Sequence, residues 1–227
     1  MNSPRPKKRF GQHFLHDRNV IGRIVATLAP RPGDHIVEIG PGKGALTRVL
    51  AAQLTHFDAV ELDRDLLAHL QSTIPAGKLT LHGADALKYD FCQLMQQNHK
   101  LRLVGNLPYN ISTPLLFHLL DQAGCIQDML FMLQKEVVMR MVATPSTPEY
   151  GRLSVMLRYR YDMERLFDVP GGAFQPPPKV TSAFVRMQPR SPLPHPAQDE
   201  TVFAKIVTSA FSTRRKTLRN AVDILAF

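Results

Sequence analysis

The chain has 227 residues, 44% of them hydrophobic, enough for one substantial core and a small second unit. Its 28 Lys and Arg exceed its 19 Asp and Glu, and the resulting formal charge of +9 favours a polyanionic partner. Two cysteines without CxxC or His-rich spacing argue against a disulfide scaffold and a structural metal; the lack of a signal-type apolar region or a long apolar run argues against export and membrane insertion, so the expected location is the cytoplasm.

The first residues, "PRPKKRF", gather Arg5, Lys7, Lys8 and Arg9 without an acid, and a second basic cluster, Arg214, Arg215, Lys216 and Arg219, lies near the end. Two separated clusters suit a long nucleic-acid track better than a single phosphate, although a solvated tail and helix face would carry the same residues. After the arm, "DRNVIGRIVATLAPRPGD" predicts a helix started by Asp17, with Val20, Ile21, Ile24, Val25 and Leu28 on one face. "HIVEIGPGKGALTRVLAAQL" predicts a strand, a glycine turn and an amphipathic helix. "FDAVELD" and "RDLLAHLQSTI" repeat strand and helix, and "KLTLHGADAL" is a third strand with Asp85 at its end. Cys92 and Cys125 each sit in or beside an apolar stretch and read as small packed hydrophobes.

Leu101 to Val104 predicts the next strand. "STPLLFHLLDQAG" follows as a helix with Thr113 as N-cap, Pro114 in the first turn and Gly124 as the stop. "DMLFMLQ" reads as a strand and "KEVVMRMVA" as a helix. Later, "RYDMERLFDVP" and "SAFVRMQP" are strand candidates around the stiff loop "PGGAFQPPPKV". The Pro-rich "PRSPLPHPAQD", residues 189–199, reads as a linker, and 200–227 as the start of a helical domain. The alternation of strands and helices predicts an α/β fold, a mostly parallel doubly wound sheet with helices on both faces, over 1–188.

The glycine turn runs Glu38-Ile39-Gly40-Pro41-Gly42-Lys43-Gly44. Its GxGxG spacing, with Gly40 and Gly42 closest to the strand, is neither the dinucleotide GxGxxG nor a P-loop, which disfavours an oxidoreductase. Glu61 ends the next strand at the distance where such folds place a carboxylate against ribose hydroxyls. A glycine turn followed by Glu61 and Asp85 at successive strand ends matches S-adenosylmethionine: ribose hydroxyls to bind, an adenine amine to accept from, and a sulfonium that tolerates nearby carboxylate.

"GNLPYN", Gly105 to Asn110, stands at the mouth of a buried strand, where neither Pro nor Asn suits the ladder. An exocyclic adenine amine is a poor nucleophile because its lone pair is delocalised into the ring. The side-chain oxygen of Asn106 and the carbonyl of Leu107 can accept its two N–H bonds, Pro108 fixes the backbone, and Tyr109 can stack on the base. Read alone, the same residues form a turn with Tyr109 packed inside.

Taken in order, "KKRFGQHFL", "VEIGPGKGALT", "VELD", "GADAL", "GNLPYNIST", "LQKEV", "YGRLSV", "FQPPPKVTSA" and "FSTRRKTLRN" make a chain that resembles the bacterial small-subunit ribosomal RNA adenine N6,N6-dimethyltransferases of the kasugamycin-sensitivity group. The resemblance implies a class I Rossmann-like methyltransferase domain, a small helical domain, and S-adenosylmethionine as donor, leaving as S-adenosylhomocysteine. It implies as substrate two adjacent adenines near the 3′ end of 16S rRNA in the small ribosomal subunit, acted on by a monomer without a metal. Carried over by position, the cofactor contacts are His13, Leu15, Gly40, Glu61, Asp85 and Asn106; the base clamp is Asn106, Leu107, Pro108 and Tyr109. Phe174 is implied as the second aromatic face, although by itself a phenylalanine before prolines reads as a loop anchor. From the two basic clusters, Lys7, Lys8, Arg9, Arg214, Arg215, Lys216 and Arg219 are the expected RNA contacts.

Two positions depart from the pattern. Many relatives carry Asn where His13 stands, and relatives continue through further helices beyond position 227, so a truncated chain is expected rather than a natural short form. Competing readings are the macrolide-resistance 23S rRNA dimethyltransferases, whose forms of "FQPPPKV" and "RRKTLRN" fit less well, and an RNA-binding assembly factor with methylation secondary.

Overall fold

The computed structural model describes residues 6, 7, 11–96, 99–212, 218 and 221. Strands β1 (Phe14–Leu15), β2 (His35–Ile39), β3 (Phe57–Glu61), β4 (Leu79–Gly83), β5 (Leu101–Asn106), β6 (Ile126–Gln134), β7 (Tyr161–Val169), β8 (Phe174–Gln175) and β9 (Ser182–Pro189) are joined by helices α1 (Arg18–Leu28), α2 (Ala45–Gln53), α3 (Arg64–Thr73), α4 (Tyr109–His118), α5 (Lys135–Val142), α6 (Arg152–Arg160) and α7 (Glu200–Ala210). Seven strands form one sheet in the order β4-β3-β2-β5-β6-β9-β7. The first five run parallel, β9 pairs antiparallel with β6, and β7 pairs antiparallel with β9 and so runs in the direction of the first five.

Strands buried on both faces carry continuous apolar runs, which is why Ile36, Val37, Leu103, Val104 and Leu130 are all fully buried. One face packs α4, α5 and α6 through Leu115, Leu116, Val138, Met141 and Leu157. The other packs α1 and α2 through Ile21, Ile24, Leu28 and Leu50. Helix α1 follows the sequence reading: Asp17 caps it by accepting from the N–H groups of Asn19 and Val20, and the five residues of the predicted face are its buried ones. At the amino ends of the strands, the buried Arg102 guanidinium is clamped by Asp128 (2.8 Å) and Asp34 (2.7 Å), which closes that edge. The carboxyl ends of the parallel strands stay open for a ligand, and chain order reverses between β2 and β5.

Four features depart from the sequence reading. Helix α4 begins at Tyr109 behind Pro108, not at Thr113, because the φ of −56° at Pro108 is already set for a helix start directly after β5. Pro114 therefore lies inside the helix, where its ring removes one backbone donor. The helix also ends at His118; Gly124 belongs to a separate tight turn, Ala123–Cys125. Between them Gln122 folds inward, its side chain accepting from Phe91 N–H (2.6 Å) and donating to the Tyr89 carbonyl (3.1 Å).

That bridging brings the Cα atoms of Cys92 and Cys125 within 5.4 Å, and the two cysteines, expected to be separate packed hydrophobes, form a disulfide. Their pairing is a tertiary consequence 33 residues apart, which no local spacing announces. Helix α6 was not anticipated, because its nine residues bury only Leu153, Ser154 and Leu157. Its start is set by the Ser154 hydroxyl, which accepts from Gly151 N–H at 3.1 Å. Beyond the 189–199 segment, Asp199 caps α7 by accepting from Thr201 and Val202 N–H, and Phe203 packs on Tyr159 of α6 (4.6 Å between ring centres). Among the described residues no helix is long and apolar enough to cross a membrane.

Candidate active site

The open edge holds a cleft of about 200 Å³, more than ten times the ~10–15 Å³ that one water needs, so it is a site rather than a packing defect. Gly40, Gly42, Glu61, Asp85, Asn106, Leu107, Pro108, Tyr109, His13 and Leu15 all line it. Two glycines make this convergence possible. A Cβ at Gly105 would stand 2.3 Å from the Ile39 carbonyl oxygen, so only glycine lets β5 lie this close to the end of β2. Gly42, at φ +57°, turns the chain beneath the Phe14 ring, which a Cβ there would approach to 3.1 Å.

Glu61 is fixed by backbone donors: Gly42 N–H (3.2 Å) and Asp63 N–H (2.9 Å) reach its two oxygens. Burial pushes its carboxyl above the ordinary range, and those bonds offset only part of the effect. Asp85 lines the cleft with one oxygen accepting from Leu87 N–H at 3.0 Å. Glu38 is a further cleft residue, 3% exposed, with its carboxyl pushed up to about 8 by burial. Thr47 and Arg48 lie alongside and favour its charged form, but too weakly to offset that burial, and no hydrogen bond of ordinary geometry reaches Glu38 Oε2. By itself this carboxyl stays protonated at neutral pH, and a cationic or hydrogen-donating ligand beside it would favour its charged form.

Asn106 Nδ2 donates to the His13 carbonyl at 2.9 Å, which turns Oδ1, the other branch of the amide, away from that contact. Leu107 N–H is spent on the Met132 carbonyl (3.1 Å) and its side chain is buried, so what Leu107 can offer a ligand is its own carbonyl. The Tyr109 hydroxyl bonds to Ser182 Oγ at 2.7 Å, and its ring lies 5.5 Å from that of His13 at 30°. His13 Nδ1 donates to the Pro176 carbonyl at 2.7 Å, which fixes the ring and leaves Nε2 as its other polar atom.

A family model described as "Ribosomal RNA adenine dimethylase" matches residues 4–226. The chain belongs to that family. A "Ribosomal RNA small subunit methyltransferase A" from Thiobacillus denitrificans is 58% identical over 97% of this chain and 85% of its own length. The protein of that name from Acinetobacter baylyi is 57% identical over 95% of this chain and 79% of its own. Among solved structures, a dimethyladenosine transferase from Plasmodium falciparum superposes with TM-score 0.77 at 25% identity, over 92% of this chain and 74% of the other. The 23S rRNA methyltransferase ErmE gives 0.72 at 26%, over 94% and 84%.

Family membership does not bring every expected residue to the cleft. Phe174 is 2% exposed, pairs with Leu15 through β8 and β1, and packs with residues of α1, such as Ile21 and Ile24, behind the cleft wall. The loop-anchor reading describes its place here, because pairing with β1 turns the ring into the core. Lys7 is bound to Asp63 (2.6 Å) and Asp65 (2.7 Å) at the cleft side of α3. Lys8, Arg9, Arg214, Arg215, Lys216 and Arg219 lie outside the described residues.

Several cleft residues carry no assignment from sequence: Glu38, Gln12, Phe14 and Lys43, whose ammonium sits 4.9 Å from the Phe14 ring centre. Glu38 alone left a signal, an acid inside the otherwise apolar "HIVEI". The arrangement combines a carboxylate-rich floor, a fixed amide oxygen and an aromatic ring at one opening. It can hold a cationic nucleoside and present a planar amine to it.

Proposed function

We propose that the chain transfers methyl groups from S-adenosylmethionine to the N6 amines of two adjacent adenines near the 3′ end of 16S rRNA in the small ribosomal subunit, giving N6,N6-dimethyladenosines. When bound, that cofactor supplies an electrophilic methyl on a sulfonium and departs as S-adenosylhomocysteine. The residues fit it: positive charge beside the buried Glu38 would favour its ionised form, Glu61 can accept from ribose hydroxyls, and Asp85 can accept from an adenine amine.

The observation that carries the reading is the Asn106 amide. With its N–H₂ committed to the His13 carbonyl, its Oδ1 and the Leu107 carbonyl form a pair of acceptors for one exocyclic amine. Accepting both N–H bonds favours a pyramidal nitrogen and aims its lone pair along the line of transfer. Tyr109, braced by Ser182, offers the face on which a base taken out of its stack would rest. In-line displacement needs no covalent enzyme intermediate, so these groups act by position alone.

The named small-subunit relatives reach 58% identity, whereas the 23S rRNA methyltransferase ErmE reaches 26%, which favours the small-subunit substrate. The test is transfer of labelled methyl from S-adenosylmethionine to unmethylated small subunits, naked 16S rRNA and free 23S rRNA, with product nucleosides identified by mass spectrometry. Dimethyladenosine from small subunits alone is the expected result. Transfer only to 23S rRNA would overturn the substrate, and cofactor binding without any transfer would favour an assembly role.

A further inference from the structure

The chain leaves the cleft at Asp85 and runs directly to Cys92. Asp85 Oδ1 accepts from Leu87 N–H at 3.0 Å and the Asp85 carbonyl from Lys88 N–H at 2.9 Å, so the cleft-lining residues Asp85, Ala86 and Leu87 form one tight turn. Asp90 then caps the short turn Phe91–Leu94 by accepting from Cys92 N–H at 3.0 Å, and Phe91 is fully buried in the core. Cys92 is thereby joined to the acid proposed for the cofactor's adenine.

Cys125 belongs to the other half of the site. It closes the turn behind α4, the helix whose first residue is Tyr109 of the clamp. The halves meet at Gln122, whose side chain already holds Tyr89 and Phe91, and whose backbone carbonyl faces both sulfurs, 3.8 Å from Cys92 Sγ and 3.1 Å from Cys125 Sγ. An opened pair therefore finds an acceptor for each S–H in place, while the Gln122 side-chain bonds hold the joint in either state. Cys125 is 3% exposed and Cys92 only half-buried, so a reagent from solvent meets Cys92 first.

We infer that Cys92 and Cys125 form a reversible oxidation site whose co-reactant is a small disulfide, and whose state sets how firmly the cleft holds its cofactor. The Cys92 thiolate attacks one sulfur of the small disulfide; a mixed disulfide forms and the first small thiolate leaves. The Cys125 thiolate then attacks Cys92 Sγ, the Cys92–Cys125 bond forms, the mixed disulfide breaks and the second small thiolate leaves. Two electrons pass from the cysteines to the small disulfide, and the two protons that the cysteines lose end on the two small thiols. The closed bond ties the Asp85 turn to the end of the clamp helix, which lowers the ordering cost of binding between them. Its effect on the cofactor rests on the S-adenosylmethionine reading of the cleft; the oxidation site itself does not.

The experiment takes the full chain, reduces it, and equilibrates it in glutathione buffers from fully reduced to fully oxidised. Free thiols are trapped with N-ethylmaleimide and counted by mass spectrometry, and each form is assayed for melting temperature and for S-adenosylhomocysteine affinity by calorimetry. The chain has two cysteines, so the reduced form should take up two maleimides and the oxidised form none, with no glutathione attached and no dimer. Closing a bond across a separation of 33 residues should raise the melting temperature by roughly 5–15 °C. The same closure should raise the affinity about three- to tenfold. Cys92→Ser should keep the affinity of the reduced form in every buffer.

Two maleimides at every glutathione ratio, or a stable glutathione adduct on Cys92, would overturn the site. A bond that raises the melting temperature while both forms bind S-adenosylhomocysteine equally would overturn its coupling to the cleft. If neither form binds the nucleoside while the bond opens and closes reversibly, the oxidation site stands and the cofactor reading has failed.

Discussion

Asn106 and His13, 93 residues apart, meet through a single 2.9 Å hydrogen bond from the Asn106 amide nitrogen to the His13 carbonyl. The bond decides which end of the amide is left for a substrate. Asn106→Ala removes both the acceptor and the tie to the cleft wall, and should lower kcat on small subunits by about 10²–10³, the cost of losing one preorganised polar group. Asn106→Asp should do no better, because a carboxylate cannot donate to the His13 carbonyl. Equilibrium binding should show cofactor affinity reduced but measurable in both; unchanged turnover would refute the clamp.

Glu38 gives a stability dependence of definite sign. Its carboxyl rises from 4.5 to about 8 on folding through burial, so between those values the folded state binds the extra proton. Stability contributed at low pH is therefore lost as pH climbs through that window, on the order of a few kcal/mol by pH 8. Glu38→Gln should flatten the profile, leaving the cofactor-free variant more stable than wild type at pH 8 and little changed at pH 5. The same variant should bind S-adenosylmethionine more weakly. Thermal melts across pH 5 to 9 with and without the cofactor check both halves.

Tyr109 separates the ring from its brace. Tyr109→Phe keeps the face and loses the 2.7 Å bond to Ser182, so KM for small subunits should rise only a few-fold. Tyr109→Ala should cost roughly 1–3 kcal/mol of transition-state stabilisation, the worth of one stacked base. Equal effects from the two variants would mean that the hydroxyl, not the ring, is what matters.

Phe174 should behave as a core residue. Phe174→Ala is expected to destabilise the fold by about 3–5 kcal/mol in urea unfolding, as for other large buried aromatics. Phe174→Leu should retain much of that stability and nearly wild-type kcat. A large loss of kcat in Phe174→Leu with stability intact would show that the ring leaves the core to meet the base.

What could be read from sequence was what repeats along the chain. The buried face of α1, the glycine turn and the acids Glu61 and Asp85 at strand ends obey local periods, and Asn106 to Tyr109 announce themselves by being wrong for a strand interior. What could not be read depends on partners far away. The start of α4 was hidden because Pro114 reads as a first-turn residue until the geometry of Pro108 is known. The Cys92–Cys125 bond depends on Gln122 folding inward, and the Lys7–Asp63 pair joins residues 56 positions apart with no periodic trace. Glu38 was visible as an acid among apolar residues, but only the fold shows how completely its carboxyl is buried.

The sheet is not assembled in the order in which it is made. Strand β9 is inserted between β6 and β7, and β1, near the start of the chain, pairs with β8 at Phe174–Gln175. During synthesis the strands β2 to β6 therefore emerge first, while the Ser182 brace of Tyr109 in β9 and the β8 partner of β1 are still to be made. Such distant pairings form late, so methyl-donor binding should become possible only once translation has passed β9.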